Sequence, residues 1–341
     1  MITYAFFTAE EDEAKMMNRE KILLWQDGEY ACPIPGHFTP FMMAYRHNEE
    51  SLSAARPAML VVPGGAYVLV SPGEGEIVAK RFFREGFDAY VLAYTCAVFE
   101  EKAIGIQPLR DLAKAVRMIR RLNKGKLAVC GFSAGAHLAG SLGVHWNDDH
   151  IFSEAERQEI CPDAEILCYP VITSGEYAHK GSFFSLYGSS PSEEEFSFAS
   201  LEKHVGRDTP PTFLWHTVTD NDVPVENSML YASALKRAGV PFELHLFAKG
   251  PHGYSLANEE WAEGDYGDPY TMEQFFANMQ YHIDGQIPLK NGQELPPAGT
   301  DFCRMFDEMP KDMLKATPEP AVAVWPDLAV NWLKNTGFSL G

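Results

Sequence analysis

The sequence is short of positive charge, of paired cysteines and of long apolar runs, and each shortage excludes something. Lys and Arg number 28 against 47 Asp and Glu, a formal net charge of −19. A surface this negative repels phosphate backbones and anionic lipid, which argues against nucleic-acid and membrane-surface partners. The six cysteines, Cys32, Cys96, Cys130, Cys161, Cys168 and Cys303, form no C-x-x-C pair, and most lie beside apolar residues. That spacing suits buried free thiols in a reducing compartment better than a disulfide framework or a zinc site. No apolar run approaches the ~20 residues that span a bilayer. Met1-Ile2-Thr3-Tyr4-Ala5-Phe6-Phe7 lacks a basic region and runs into Glu10-Glu11-Asp12-Glu13, unlike a signal peptide, so the expected location is cytoplasmic. There is no internal repeat and no long low-complexity tract.

What is present is an ordinary globular composition, 46% hydrophobic and 22% charged over 341 residues, enough to bury a large core. The first twenty residues are acidic and weakly patterned and read as a surface helix. Ile22-Leu23-Leu24-Trp25 and Phe41-Met42-Met43-Ala44-Tyr45 read as early strands. From Ala58 a rhythm sets in. Ala58-Met59-Leu60-Val61-Val62 is short and wholly apolar and, like 127–130, reads as a strand buried on both faces, while 89–92, 164–169, 212–216 and 242–247 read as further strands. Helical patterns lie at 76–85, around Leu109-Leu112-Val116-Ile119, at 133–144, 224–237 and 326–334. Alternating units of this kind predict an α/β fold, a mostly parallel sheet with helices on both faces. One domain over 1–341 accommodates them. Residues at about 258–319 are rich in Gly, Pro and acids, break the rhythm, and read as an insertion.

Gly131-Phe132-Ser133-Ala134-Gly135 matches G-x-S-x-G directly after a buried strand and at the start of a helix. That is the setting of a nucleophile elbow, in which a strained turn lifts the serine above the sheet. A serine between glycines can also be a plain helix cap. A nucleophilic hydroxyl needs a base, and the base needs an acid to orient it. His252, in Lys249-Gly250-Pro251-His252-Gly253-Tyr254, follows the last core strand and can reach Ser133. His137, one turn along the helix from Ser133, reads as a packing residue. His216 reads as a support for the acid loop. His145 and His150, flanking Trp146-Asn147-Asp148-Asp149, read as loop residues rather than metal ligands. The acid falls in Thr219-Asp220-Asn221-Asp222-Val223-Pro224. Asp222 stands where a helix cap is expected and Asp220 is freer to face the histidine, yet both remain open on these grounds. An oxyanion site needs two preorganised N–H donors. Candidates are Ala134 and the glycines Gly64 and Gly65 of Pro63-Gly64-Gly65-Ala66-Tyr67. Tyr67 and Tyr254 are expected either to line a substrate pocket or to pack the loops.

These stretches resemble the α/β-hydrolases, in particular the acetyl esterase and acetylxylan esterase-like branch of the esterase–lipase group. The likeness covers roughly Ala58 to Leu256 and the final helix. The acid in that branch stands in D-x-x-V-P, which falls on Asp220. Pro63-Gly64-Gly65-Ala66 replaces the familiar H-G-G-G, and Ala66 keeps its N–H while adding a methyl group. The resemblance implies Ser133, Asp220 and His252 in the order of that fold, no metal and no organic cofactor, and removal of short acyl groups, acetyl first, from a carbohydrate ester. The partner expected is therefore a small-molecule or oligosaccharide ester, with self-association left open. Two rivals stand beside this reading: a serine peptidase or aminoacyl hydrolase on the same fold, and a non-catalytic carbohydrate-binding protein. The insertion would be a lid, a pocket wall or a contact with a neighbouring subunit.

Overall fold

The computed structural model describes residues 16–33, 38–48, 55–98, 102–289, 292–308 and 311–340. The apolar runs become strands: β1 (Met17–Leu23), β2 (Phe41–His47), β3 (Ala58–Val62), β4 (Asp88–Ala93), β5 (Leu127–Phe132), β6 (Ala164–Cys168), β7 (Thr212–Thr217) and β8 (Phe242–Phe247). They form one sheet in the order β1-β2-β4-β3-β5-β6-β7-β8. β1 and β2 pair antiparallel, as do β2 and β4, and every pairing from β4 through β8 is parallel. This is the α/β-hydrolase fold. Every residue of β3, β5, β6 and β7 is buried, as expected of parallel strands covered on both sides.

Each strand divides its side chains between two cores. Leu60, Val62 and Val129 face one side with helices α2 (Gln107–Leu122), α3 (Ala134–His145) and α6 (Glu226–Ala238). Met59, Val61 and Cys130 face the other with α1 (Glu76–Arg84) and α8 (Trp325–Asn335). Cys96, Cys130 and Cys168 are buried free thiols, and no disulfide joins the described cysteines.

One expectation needs correction. The acidic start was expected to be helical; residues 1–15 lie outside those described, and from Met17 the chain is an edge strand. Its polar residues face outward from the sheet's rim, which suits a strand with one free edge. The excursion between β6 and β7 folds into α4 (Lys180–Tyr187) and α5 (Glu193–Ala199). A capping box starts α5, with Ser192 accepting from the Glu195 amide and the Glu195 side chain accepting from the Ser192 amide.

The segment read as an insertion contains α7 (Glu273–Gly285) and clamps onto the outer strands. Arg19 pairs with Asp268 at 3.0 Å and Lys21 with Glu273 at 2.6 Å. The Gln274 amide both accepts from the Cys96 N–H (2.8 Å) and donates to the Cys96 carbonyl (3.1 Å). Its own apolar cluster, including Met272, Phe276 and Ile283, packs on Leu69 from the loop after β3. These contacts hold it against the loops after β3 and β4, at the carboxyl end of the sheet. Among the described residues, no helix is long and apolar enough to cross a membrane.

Candidate active site

Ser133 follows β5 with φ 52° and ψ −119°, a left-handed backbone that a residue with a β-carbon rarely adopts. The glycines around it make this turn possible. A Cβ on Gly135 would lie 2.1 Å from the Val62 carbonyl oxygen, and one on Gly131 would lie 2.5 Å from that of Gly135. Backbone of β3, β5 and α3 therefore meets at distances only glycine allows. The turn is held by the Ser133 N–H donating to the Cys168 carbonyl and by the Ser133 carbonyl accepting from Val171.

The structure brings the three residues distant in sequence into one chain of hydrogen bonds. His252 Nε2 lies 2.7 Å from Ser133 Oγ, and His252 Nδ1 lies 2.7 Å from Asp220 Oδ2. An ionised carboxylate only accepts, so Nδ1 carries the proton and Nε2 of the neutral ring accepts from the serine hydroxyl. The Asp220 side chain is fully shielded from solvent, while that of His252 is 17% exposed. The acid is sealed, and the base is reachable by substrate and water.

Asp220 has four donors. Oδ2 also accepts from His216 Nε2 (3.2 Å), and Oδ1 accepts from the Asp222 and Val223 amides (3.0 and 2.9 Å). Burial pushes this carboxyl up, but the bonds from His216 and His252 outweigh it and hold Asp220 well below the ordinary carboxylate range. His216 is itself fixed by Ser228 Oγ at 2.8 Å, which gives it the supporting part expected of it. Asp222 is exposed and caps nothing, since α6 starts at Glu226 with Val225 before it and no side-chain cap.

The loop after β3 lies against the serine: a Cβ on Gly64 would sit 2.9 Å from Ser133 Cβ. The Gly64 N–H, however, is already donated to Glu74 Oε2 at 2.7 Å, so it does not face an oxyanion. The amides of Gly65 and Ala134 have no acceptor among the described residues. Tyr67 is buried and lines a small cavity with His137, Leu186 and Tyr187. Its left-handed φ of 59° turns it inward, it is 1% exposed, and its hydroxyl bonds His137 Nδ1 at 2.8 Å. Burial pushes His137 down to about 4, so it stays neutral and accepts from Tyr67 while donating to the Ala199 carbonyl. Tyr254 is half-buried, edge-on to Trp261 at 5.7 Å, and its ring fills the space beside Gly250. Both tyrosines pack loops.

Two neighbours escaped the sequence reading. Tyr169 presents its ring to His252 with centroids 5.0 Å apart. Glu74 is a buried carboxylate that no motif announces; Pro72-Gly73-Glu74-Gly75 reads as a turn. Among the described residues, Asp148, Asp149 and His150 are the one group spaced to hold a metal. They lie beyond the carboxyl end of α3, at the opposite end of that helix from Ser133, and take no part in this site.

Known proteins resemble this chain in sequence and fold. The family model BD-FAE matches residues 45–235, more than half of the chain. The chain is 42% identical over 259 residues to endo-1,4-beta-xylanase B of Butyrivibrio fibrisolvens, covering 74% of this chain and 40% of that protein. It is 27% identical over 214 residues to an acetylxylan esterase of Xylanibacter ruminicola, covering 58% and 41%. The chain thus spans about two fifths of the length of these curated relatives. A crystal structure of an acetyl ester-xyloside bifunctional hydrolase from Caldicellulosiruptor lactoaceticus is similar at TM-score 0.63 and 36% identity, covering 77% of this chain and 97% of that one.

Proposed function

The chain belongs to the BD-FAE family of α/β-hydrolases, and from that premise we propose that it is a serine carboxylic ester hydrolase removing short acyl groups, acetyl first, from a carbohydrate such as a xylo-oligosaccharide. The observation that carries the chemistry is the chain Ser133–His252–Asp220 on a strained elbow. The names of the xylan-related relatives support the carbohydrate.

In this reading Ser133 Oγ attacks the ester carbonyl as His252 Nε2 takes its proton. Asp220 holds the tautomer and stabilises the imidazolium. The N–H groups of Gly65 and Ala134 receive the oxyanion, and the amino end of α3 favours the same charge. Collapse of the tetrahedral intermediate expels the sugar alkoxide, which takes the proton from His252. Water then attacks the acyl-enzyme with His252 as base, releasing acetate and restoring Ser133. The chemistry asks nothing of a metal or an organic cofactor.

The test is acetate release from acetylated xylo-oligosaccharides and from 4-nitrophenyl acetate, with an aminoacyl 4-nitroanilide as the rival substrate. Parent protein should cleave the esters, and Ser133→Ala should lose about 10⁴-fold or more in kcat/KM. Ester turnover surviving in Ser133→Ala, or preference for the aminoacyl amide, overturns the reading.

A further inference from the structure

Glu74 is 5% exposed and sits beside the site with no part in the reaction just described. Its two oxygens have separate partners. Oε2 accepts the Gly64 N–H at 2.7 Å, and Oε1 accepts the Tyr169 hydroxyl at 2.6 Å. The Tyr169 oxygen in turn accepts the Ser255 N–H at 3.0 Å, three residues beyond His252. The Ser255 carbonyl is fixed by the Trp325 indole at 2.8 Å. One buried carboxylate therefore ties the loop after β3 to the loop that carries His252, through the residue that follows β6.

All three tied segments hold strained backbone: Ala66 and Tyr67, Tyr169, and Ser255 and Ala257 each have positive φ. Such conformations are costly and persist only where their surroundings over-determine them. The ties also lie close to the chemistry. A point at the Cβ position of Gly64 is within 3.0 Å of both Glu74 Oε2 and Ser133 Cβ. Burial pushes the Glu74 carboxyl up against the downward pull of Tyr169 and Gly64, so the pair of acceptor oxygens comes at a desolvation cost that an unneeded carboxylate would not carry.

We infer that Glu74 is a positioning residue that registers the oxyanion loop against the histidine loop and, by taking the Gly64 N–H, leaves the Gly65 and Ala134 amides as the oxyanion donors. This rests on the hydrolase reading above. The part is one of reach rather than charge. Glutamine has the same reach, its oxygen accepting from Gly64 and its NH₂ donating to the Tyr169 oxygen, at the cost of the acceptor for the Tyr169 hydroxyl proton. Aspartate keeps the charge but is one methylene too short for both.

The experiment measures kcat and KM on 4-nitrophenyl acetate for Glu74→Ala, Glu74→Asp, Glu74→Gln and Tyr169→Phe, with Ser133→Ala alongside and thermal melts of each. Loss of register should lower kcat about 10²-fold in Glu74→Ala and Glu74→Asp with KM little changed. Glu74→Gln should recover to within about tenfold of the parent, and Tyr169→Phe should fall between. A kcat within twofold of the parent in Glu74→Ala, a loss confined to KM, or rescue by aspartate and not by glutamine overturns the inference. If Glu74→Ala does not fold, the aspartate–glutamine comparison decides alone. Retained activity in Ser133→Ala would instead sink the hydrolase reading, so the two failures are distinguishable.

Discussion

The two edges of the sheet treat left-handed backbone differently. Before β4 and β8, at the amino edge, positive φ falls on Gly86 and Gly239, where no β-carbon has to be accommodated. At the carboxyl edge it falls on glycines as well, Gly65, Gly105, Gly250 and Gly253, but also on residues with side chains: Ala66 and Tyr67 after β3, Val98 after β4, Ser133 after β5, Tyr169 after β6, and Ser255 and Ala257 after β8. A chain selected for stability alone would place glycine at such positions. Strain kept at one edge and relieved at the other marks the edge where side chains must point in particular directions. The same edge holds the buried carboxylates Asp220 and Glu74, and Glu165 near the amino end of β6 is buried too, so buried acid alone does not set the edges apart.

The largest way to sharpen this contrast is at the acid. Asp220→Asn should lower kcat about 10⁴-fold, as loss of the orienting carboxylate allows the wrong imidazole tautomer. Asp222→Asn, two residues away and exposed, should stay within about twofold, since surface changes of this kind are nearly neutral. Equal losses at the two positions, measured on 4-nitrophenyl acetate, would break the assignment.

Next come the glycines. A methyl on Gly135 would be driven to within 2.1 Å of the Val62 carbonyl, whereas one on Gly86 meets nothing within 4 Å. Gly135→Ala should cost more than about 3 kcal/mol or abolish folding, as backbone cannot retreat. Gly86→Ala should cost about 1–2 kcal/mol, the penalty of left-handed backbone alone. Urea melts of both check this; similar costs would mean that the close approach at the elbow is not real.

Much of this was legible in the sequence, and for identifiable reasons. Strands such as Ala58–Val62 are apolar on both faces, so their burial needs no tertiary knowledge. Ser133 sits in a motif whose glycines are required by backbone contacts within twelve residues or across one strand pairing. Asp220 and His252 follow strand ends, where loops converge by topology. What escaped depends on contacts that no local pattern encodes. Glu74 becomes a buried acceptor only when Tyr169 and the Gly64 amide close on it. Tyr67 turns inward because of a left-handed φ that an alanine–tyrosine pair does not advertise. The start of α5 is written locally, since Ser192 and Glu195 stand at capping-box spacing, but the acidic, Pro-containing stretch around them carries no helical pattern.

The smallest effect compares the ends of α3. His137 near the elbow and His145 at the far end are both pushed down to about 4 by burial. The unfolded chain takes up protons at these residues below about pH 6.5, which the folded protein resists. Stability should therefore be full above that pH and fall as pH drops toward 4, by at most ~1.4 kcal/mol per unit for each residue. His137→Asn should flatten the slope of melting temperature between pH 6.5 and 4.5 by about as much as His145→Asn. A slope unchanged by either would show that these imidazoles do not control it. Equal effects at both ends would also confine the difference between the two edges to backbone strain.

The central claim is that His252 and Asp220 make Ser133 a nucleophile. Its most direct measurement is labelling with a fluorophosphonate, the modified peptide located by mass spectrometry. The account predicts one rapid label on Ser133, slowed at least about 10³-fold in His252→Ala without loss of fold. A label on another residue, or one on Ser133 that forms equally fast without the imidazole, would contradict it.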